Sequence, residues 1–202
     1  ALLDVLKSHG ARATFFVLGS NLESPFWTGA TSSQTKGILV RAMREGHLIG
    51  NHSYSHPRTM GMSEFTAEIV RCDKLITDLR NSAHLPHALI PCRLPYGLQN
   101  VPGGDPRAAA LVSLGRPHFS WTKLFDDYEK KSREQGVGLF EEMKQHALEL
   151  FSQGLRPVLA LHDSCSASEG QPNGFNRDAT LEAVSMFLAE AKRSGWSSSL
   201  LI

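Results

Sequence analysis

The sequence predicts an α/β fold built on a parallel sheet, open or closed into a barrel. Short β-rich runs and helical patterns alternate about six times, with connections long enough for crossovers. No internal repeat, low-complexity stretch or linker divides the 202 residues, so they read as one domain, 1–202. Functional-looking polar side chains fall just past the C-terminal ends of the strands, where such folds bind ligands.

Each element has a local reason. Ala1-Leu2-Leu3-Asp4-Val5-Leu6-Lys7 is helical in pattern and has no N-cap before it. Ala13-Thr14-Phe15-Phe16-Val17-Leu18 is a β-rich run ended by Gly19. Residues 20–33 are polar and rich in Gly, Ser and Thr, and read as a loop. Ile38, Leu39, Ala42 and Met43 have helical spacing, and Gly46 is a good stop. His47-Leu48-Ile49-Gly50 is a brief strand, and Phe65, Ile69, Cys72, Ile76 and Leu79 mark a long amphipathic helix. Ala88-Leu89-Ile90 reads as a strand and residues 106–114 as a helix opened by Pro106. His118-Phe119-Ser120-Trp121 reads as a strand. Leu139, Met143, Ala147 and Leu150 mark a helix closed by Gly154. Pro157-Val158-Leu159-Ala160-Leu161 is a buried-type strand, Leu181 to Ala191 a last helix, and Trp196 to Ile202 a closing strand.

At 41% hydrophobic and 20% charged, the composition is that of an ordinary globular protein. With a net charge of +1, nothing in the charge balance points to a nucleic-acid or anionic-membrane surface. No apolar run approaches the roughly 20 residues that span a bilayer. The three cysteines, Cys72, Cys92 and Cys165, lack metal-site spacing. They fit three free thiols or one pair, for which Cys92 and Cys165 are the candidates.

Four polar sets follow four strands. Asn51-His52-Ser53-Tyr54-Ser55-His56-Pro57 carries two histidines spaced i, i+4, which a turn can bring to one metal ion. Arg93 follows the strand at Ile90 and precedes a rigid Leu94-Pro95-Tyr96-Gly97 loop. Asp126 and Asp127 follow Trp121, and His162 and Asp163 follow Leu161. Each set taken singly also fits a solvated loop or a cap; together they are expected on one rim. His9, His47, His84, His87, His118 and His146 read as structural or surface residues. His84 and His87 precede a strand and belong to the wrong face.

Taken together, these motifs resemble the NodB-homology polysaccharide deacetylases, carbohydrate esterase family 4. Residues 13–19 look like the family's second strand. Gly46 to Pro57 matches its metal-histidine motif almost residue for residue. Arg93-Leu94-Pro95-Tyr96-Gly97 matches its arginine–proline loop, Trp121 with Asp127-Tyr128 the next motif, and Leu161-His162-Asp163 the last. The resemblance implies a distorted (β/α) barrel of about seven parallel strands. It also implies a divalent metal, Zn2+ foremost with Co2+, Ni2+ or Mn2+ as alternatives, and removal of N-acetyl groups from GlcNAc polymers. By position, His52 and His56 are metal ligands and the Tyr96 N–H helps hold an oxyanion. His162 is the general acid, Asp127 holds His162 and keeps it cationic, and Arg93 orients the base. Trp121, Tyr128 and Leu161 are expected against the substrate.

The family's paired aspartates, third metal ligand and base, belong on a strand before the first helix, and the chain reads as lacking that strand. The histidine pair by itself is then expected to bind metal weakly or not at all. Tyr128 stands where the family usually has tryptophan, and Ala160 where it usually has leucine, which alters the acetyl pocket. An inactive carbohydrate-binding relative and an acetyl-xylan esterase are the alternative readings. The resemblance further implies a polysaccharide or oligosaccharide partner, a monomer, and a secreted, periplasmic or cell-surface location. The loop Ser164–Asn176 and the aromatics Phe26 and Trp27 are candidate groove borders.

Overall fold

The structure is a computed structural model and describes residues 1–24, 31–130, 132–162, 177–197 and 200. Its contacts divide into two compact units, Ala13–Ser120 with Leu200, and the combination of Ala1–Arg12 with the described residues between Trp121 and Ser197.

The unit from Ala13 to Ser120 is organised by a parallel pair. β1 (Thr14–Val17) lies beside β2 (Leu48–Asn51), with Thr14 opposite Leu48 and Val17 opposite Asn51. Single residues extend this pair: Cys92 bridges to Asn51 and His118 bridges to Cys92, both parallel. Gly50 is required by the tight spacing, since a Cβ there would meet the Phe16 ring at 2.7 Å and the Pro91 carbonyl at 2.8 Å. The helices are α2 (Ser20–Glu23), α3 (Ser32–Arg44), α4 (Met62–Ser82) and α5 (Pro106–Ser113). α4 buries Phe65, Ile69, Cys72, Ile76 and Leu79, the apolar stripe read from the sequence. Phe65 and Ile69 pack with Cys92, Leu94, Ala110 and Leu111 into a closed core. Asp105 caps α5 and Pro106 opens it.

The second unit holds α1 (Leu2–Ser8), β3 (Lys123–Leu124), a 3-10 turn (Asp127–Glu129), α6 (Arg133–Ser152), β4 (Leu159–Ala160) and α7 (Asp178–Arg193). β3 and β4 pair in parallel, Lys123 opposite Leu159. Ser132 and Gln135 form a capping box on α6. Phe125, Leu139, Phe140, Met143 and Ala183 form the core between α6 and α7. Those helices meet at Gly136, where a Cβ would sit 2.8 Å from the Ala179 carbonyl.

Several expectations need correction. Residues 20–33 contain α2 and the first two residues of α3, because Thr31 and Gln34 make a capping box that starts the helix early. The strand expected at Ala88–Ile90 is displaced to a bridge at Cys92: Leu89 is exposed, and Pro91 accepts from Asn51 but has no N–H to give. The strand expected over His118–Trp121 pairs at His118 and resumes as β3, so Asp127 follows β3. Among the described residues the strands form two separate pairs and no closed sheet. The closing strand expected over Trp196–Ile202 falls partly outside the described residues, and Trp196, Ser197 and Leu200 are not in a strand.

The helix contact makes a matched prediction. Gly136→Ala should destabilise the protein by about 1–3 kcal/mol, because backbone rather than a flexible tip meets the new methyl. Gly138→Ala, two residues along the same helix with nothing within 4 Å of its Cβ, should stabilise by about 0.5–1 kcal/mol. Denaturant midpoints of the two variants test this, and an equal shift in both would refute the contact.

Candidate functional site

In the unit from Ala13 to Ser120, β2 ends at Asn51 and the chain turns sharply. The buried Asn51 side chain makes the turn: Oδ1 accepts from the Ser53 N–H at 2.8 Å, and Nδ2 donates to the Ile69 carbonyl at 2.9 Å and Asp73 Oδ1 at 2.8 Å. Ser53 Oγ then accepts from the His56 N–H at 3.0 Å. Glu68, on α4, accepts from the Tyr54 and Ser55 N–H groups at 3.0 and 2.6 Å. This network holds Ser53 at φ 72° and His56 at φ 61°, left-handed values that each cost a non-glycine residue about 1–2 kcal/mol. The imidazoles of His52 and His56 finish with ring centres 4.9 Å apart.

His52 Nδ1 lies 2.9 Å from the Arg93 carbonyl. A carbonyl only accepts, so Nδ1 carries the proton and Nε2 carries the lone pair. This is the arrangement that suits a metal-binding histidine. The two histidines thus fit one side of a divalent-metal site. Among the described residues no three His, Cys, Asp or Glu side chains gather as a ligand set.

Arg93 donates through Nε to the Phe119 carbonyl at 2.8 Å and through Nη2 to the Ser120 carbonyl at 3.0 Å, with its guanidinium 4.1 Å above the Phe16 ring. Burial pulls its pKa down to about 10, so it remains cationic at neutral pH. Tyr96 follows at φ 58°, its ring 4.6 Å from that of His56 and 4.0 Å below the Arg58 guanidinium. Behind this loop, His118 Nδ1 accepts the Leu94 N–H at 3.2 Å. Burial, with the cations Arg93 and Arg107 nearby, holds the His118 pKa below its ordinary value.

In the other unit, the fully buried Asp127 opens the 3-10 turn. Its Oδ1 lies 2.8 Å from His162 Nδ1, its Oδ2 accepts the His162 N–H at 3.0 Å, and Thr180 donates to Oδ2 at 2.9 Å. A buried carboxylate is tolerable when it is bonded this fully. The His162 side chain, 38% exposed, is therefore fixed at one end and open to solvent at the other. The Tyr128 ring meets His162 edge-on at 5.1 Å, and its hydroxyl donates to Asp126 at 3.1 Å. Leu161 packs on the α6–α7 core, and Ala160 is buried in β4. Trp121 is half-buried just before β3.

The structure gathers His52, His56, Arg93 and Tyr96 in one unit and Asp127, Tyr128 and His162 in the other. Asp163, Cys165, the Ser164–Asn176 loop, Phe26 and Trp27 lie outside the described residues. Cys72 and Cys92 are buried free thiols, each pushed up to about 12 by burial and hence unreactive. Sequence reading missed Asn51, Glu68, Asp105, Arg107 and Thr180 as site residues. All but Asp105 bond to partners far along the chain, and Asp105 before Pro106 carried the one local cue, its N-cap position.

The order of these motifs is that of the polysaccharide deacetylase family, and the comparisons agree. A family model described as polysaccharide deacetylase matches residues 1–103, and the chain belongs to that family, the NodB-homology carbohydrate esterases. The peptidoglycan-N-acetylglucosamine deacetylase PgdA of Listeria monocytogenes is 30% identical over 138 residues, 67% of this chain. The chain spans about a quarter of that relative, 24% of its length. Among solved structures, the peptidoglycan deacetylase PdaC from Bacillus subtilis shares the fold with a TM-score of 0.65 at 19% identity, over 99% of this chain and 79% of PdaC. BA3943, a CE4 family pseudoenzyme from Bacillus anthracis, does so with a TM-score of 0.68 at 17% identity, over 98% of this chain and 57% of its own.

His118 gives a pH prediction. Its folded pKa is depressed, so the unfolded chain binds the extra proton. Its contribution to stability is complete above the ordinary value of 6.5 and is lost as pH falls through the window below it. Unfolding free energy measured between pH 7.5 and 5 should fall less steeply in His118→Gln than in the unsubstituted protein. Identical slopes would refute the assignment.

Proposed function

We propose that this chain is the NodB domain of a metal-dependent hydrolase that removes N-acetyl groups from a GlcNAc-containing polysaccharide, peptidoglycan or chitin. The observation that carries this reading is the His162 imidazole held at 2.8 Å by the buried Asp127 carboxylate in a chain whose family is the deacetylases. The name of PgdA supports peptidoglycan as one substrate class.

The roles follow from chemistry. Zinc, when bound by His52 and His56 with further ligands, would polarise the acetyl carbonyl and activate water. The Tyr96 N–H would meet the negative charge that develops on the carbonyl oxygen. As the C–N bond breaks, His162 would pass its proton to the departing nitrogen, yielding acetate and a free amine. Asp127 fixes the tautomer and orientation that let His162 do so. Arg93, cationic at neutral pH, would orient a carboxylate base, which is not among the described residues. A secreted, periplasmic or cell-surface location and a monomeric state belong to the same proposal. No helix among the described residues is long and apolar enough to cross a membrane.

A second reading, an inactive carbohydrate-binding relative, is favoured by Tyr128 and Ala160 in the expected pocket wall and by the fold likeness to a named pseudoenzyme.

One experiment separates the readings: acetate release from chitin oligomers and from peptidoglycan by the full-length gene product loaded with zinc. His162→Ala should lower kcat by about 10²- to 10⁴-fold with an unchanged circular dichroism spectrum. His56→Ala should lower the zinc retained after dialysis. Retained zinc and glycan binding without acetate release from any acetylated glycan would overturn the enzyme reading in favour of the second.

A further inference from the structure

We propose that Arg107 is a positioning residue for the deacetylase site, a buried clamp that sets His56 and Tyr96 relative to each other; this rests on the deacetylase reading above. Arg107 is 1% exposed and lies in the first turn of α5, away from every motif. All five of its side-chain donors have partners. Nε donates to Asp105 Oδ1 at 3.0 Å, and Nη2 to Asp105 Oδ2 at 2.7 Å and to the Gly97 carbonyl at 2.9 Å. Nη1 donates to the carbonyls of Pro95 at 2.7 Å and Pro57 at 3.3 Å.

The three carbonyls are placed informatively. Pro57 directly follows His56, and Pro95 and Gly97 bracket Tyr96. His56 and Tyr96 hold left-handed φ values of 61° and 58°, which turn the neighbouring carbonyls out of any sheet ladder. Buried carbonyls so displaced need a donor. One planar fork supplies all three, so the histidine turn and the tyrosine loop are bonded to one rigid group. A lysine could not replace it, since a single ammonium point cannot span the fork.

The charge is balanced locally. Burial works to raise the Asp105 carboxyl, but the Arg107 guanidinium and the N–H groups of Gln99 and Arg107 outweigh it and hold it below its ordinary value. Gln99 adds outer ties: its N–H donates to Asp105 Oδ2 at 3.1 Å, and its Nε2 donates to the Arg58 carbonyl at 2.9 Å. Arg58 in turn covers the Tyr96 ring at 4.0 Å. Arg107 meets no group given a chemical role above, so its effect would pass through the backbone on which the metal ligand His56 and the oxyanion donor Tyr96 are mounted.

The test is Arg107→Lys in the full-length protein, read by steady-state kinetics on a chitin oligomer, thermal unfolding, and amide hydrogen exchange. Lysine keeps the charge beside Asp105 and loses the fork. The expected result is a fall in kcat of about tenfold to a hundredfold with little change in KM. Amide exchange should quicken together in residues 53–58 and 94–99, in protein that still unfolds cooperatively. A folded variant with the unsubstituted kcat, or with faster exchange confined to α5, would overturn the proposal. Should Arg107→Lys not fold, Gln99→Leu decides: a smaller kcat loss with faster exchange in both loops supports the clamp, and unsubstituted values for both overturn it. Should the unsubstituted protein release no acetate, the deacetylase reading falls and loop exchange alone judges the clamp.

Discussion

The parallel bridge between Asn51 and Cys92 is the contact on which the histidine and arginine loops depend. It places the Arg93 N–H 2.9 Å from the Asn51 carbonyl and the Asn51 N–H 2.8 Å from the Pro91 carbonyl. Because Arg93 is paired there, its own carbonyl faces the next residue past β2, His52, and accepts from Nδ1. The register of the sheet thereby decides which imidazole nitrogen carries the proton. It also decides where the arginine guanidinium leaves the sheet, over Phe16 of β1 on the far side of β2. A shift of this pairing by one residue would invert every side chain past the bridge. Gly50 protects the register, since any larger residue there would push β1 and the Pro91 segment apart.

Beyond the bridge, the loops leave ladder geometry, and their backbone groups need other partners. Side chains supply them: the buried Asn51 and Ser53 for the turn, the half-buried Glu68 from α4, and the buried Arg107 with Asp105 from the start of α5. Helices that the hydrophobic effect docks on the sheet therefore deliver the polar groups that hold the strained turns. The apolar work of Phe65 and Ile69 and the polar work of Glu68 are done by one helix.

The second unit uses the same economy with a carboxylate in place of an amide. Asp127 is buried at the cost of desolvation, and its oxygens meet the His162 ring, the His162 N–H and the Thr180 hydroxyl. α7 packs on α6 through Ala183 and brings Thr180 to that carboxylate. The fold alone does not settle activity, for a named pseudoenzyme shares it. The orientation of His162 by Asp127 is what makes the chemical reading specific.

Much of this was legible locally. Helices α3 to α7 announce themselves through caps, stops and apolar stripes, and the motif residues follow strand ends or bridging residues. Strand positions were legible only where apolar runs were long enough. Cys92 and His118 count as sheet residues because of their neighbours, and no periodicity marks a single bridging residue. The sequence by itself determined the residue types of the site, the parallel α/β character and the family. Tertiary structure alone decided which carbonyl meets which donor: Arg93 with His52, Arg107 with three loop carbonyls, Thr180 with Asp127. Those partners lie from about ten to more than fifty positions apart. Hydrogen bonds over such separations leave no local pattern in the chain, because they form only once burial has brought the elements together.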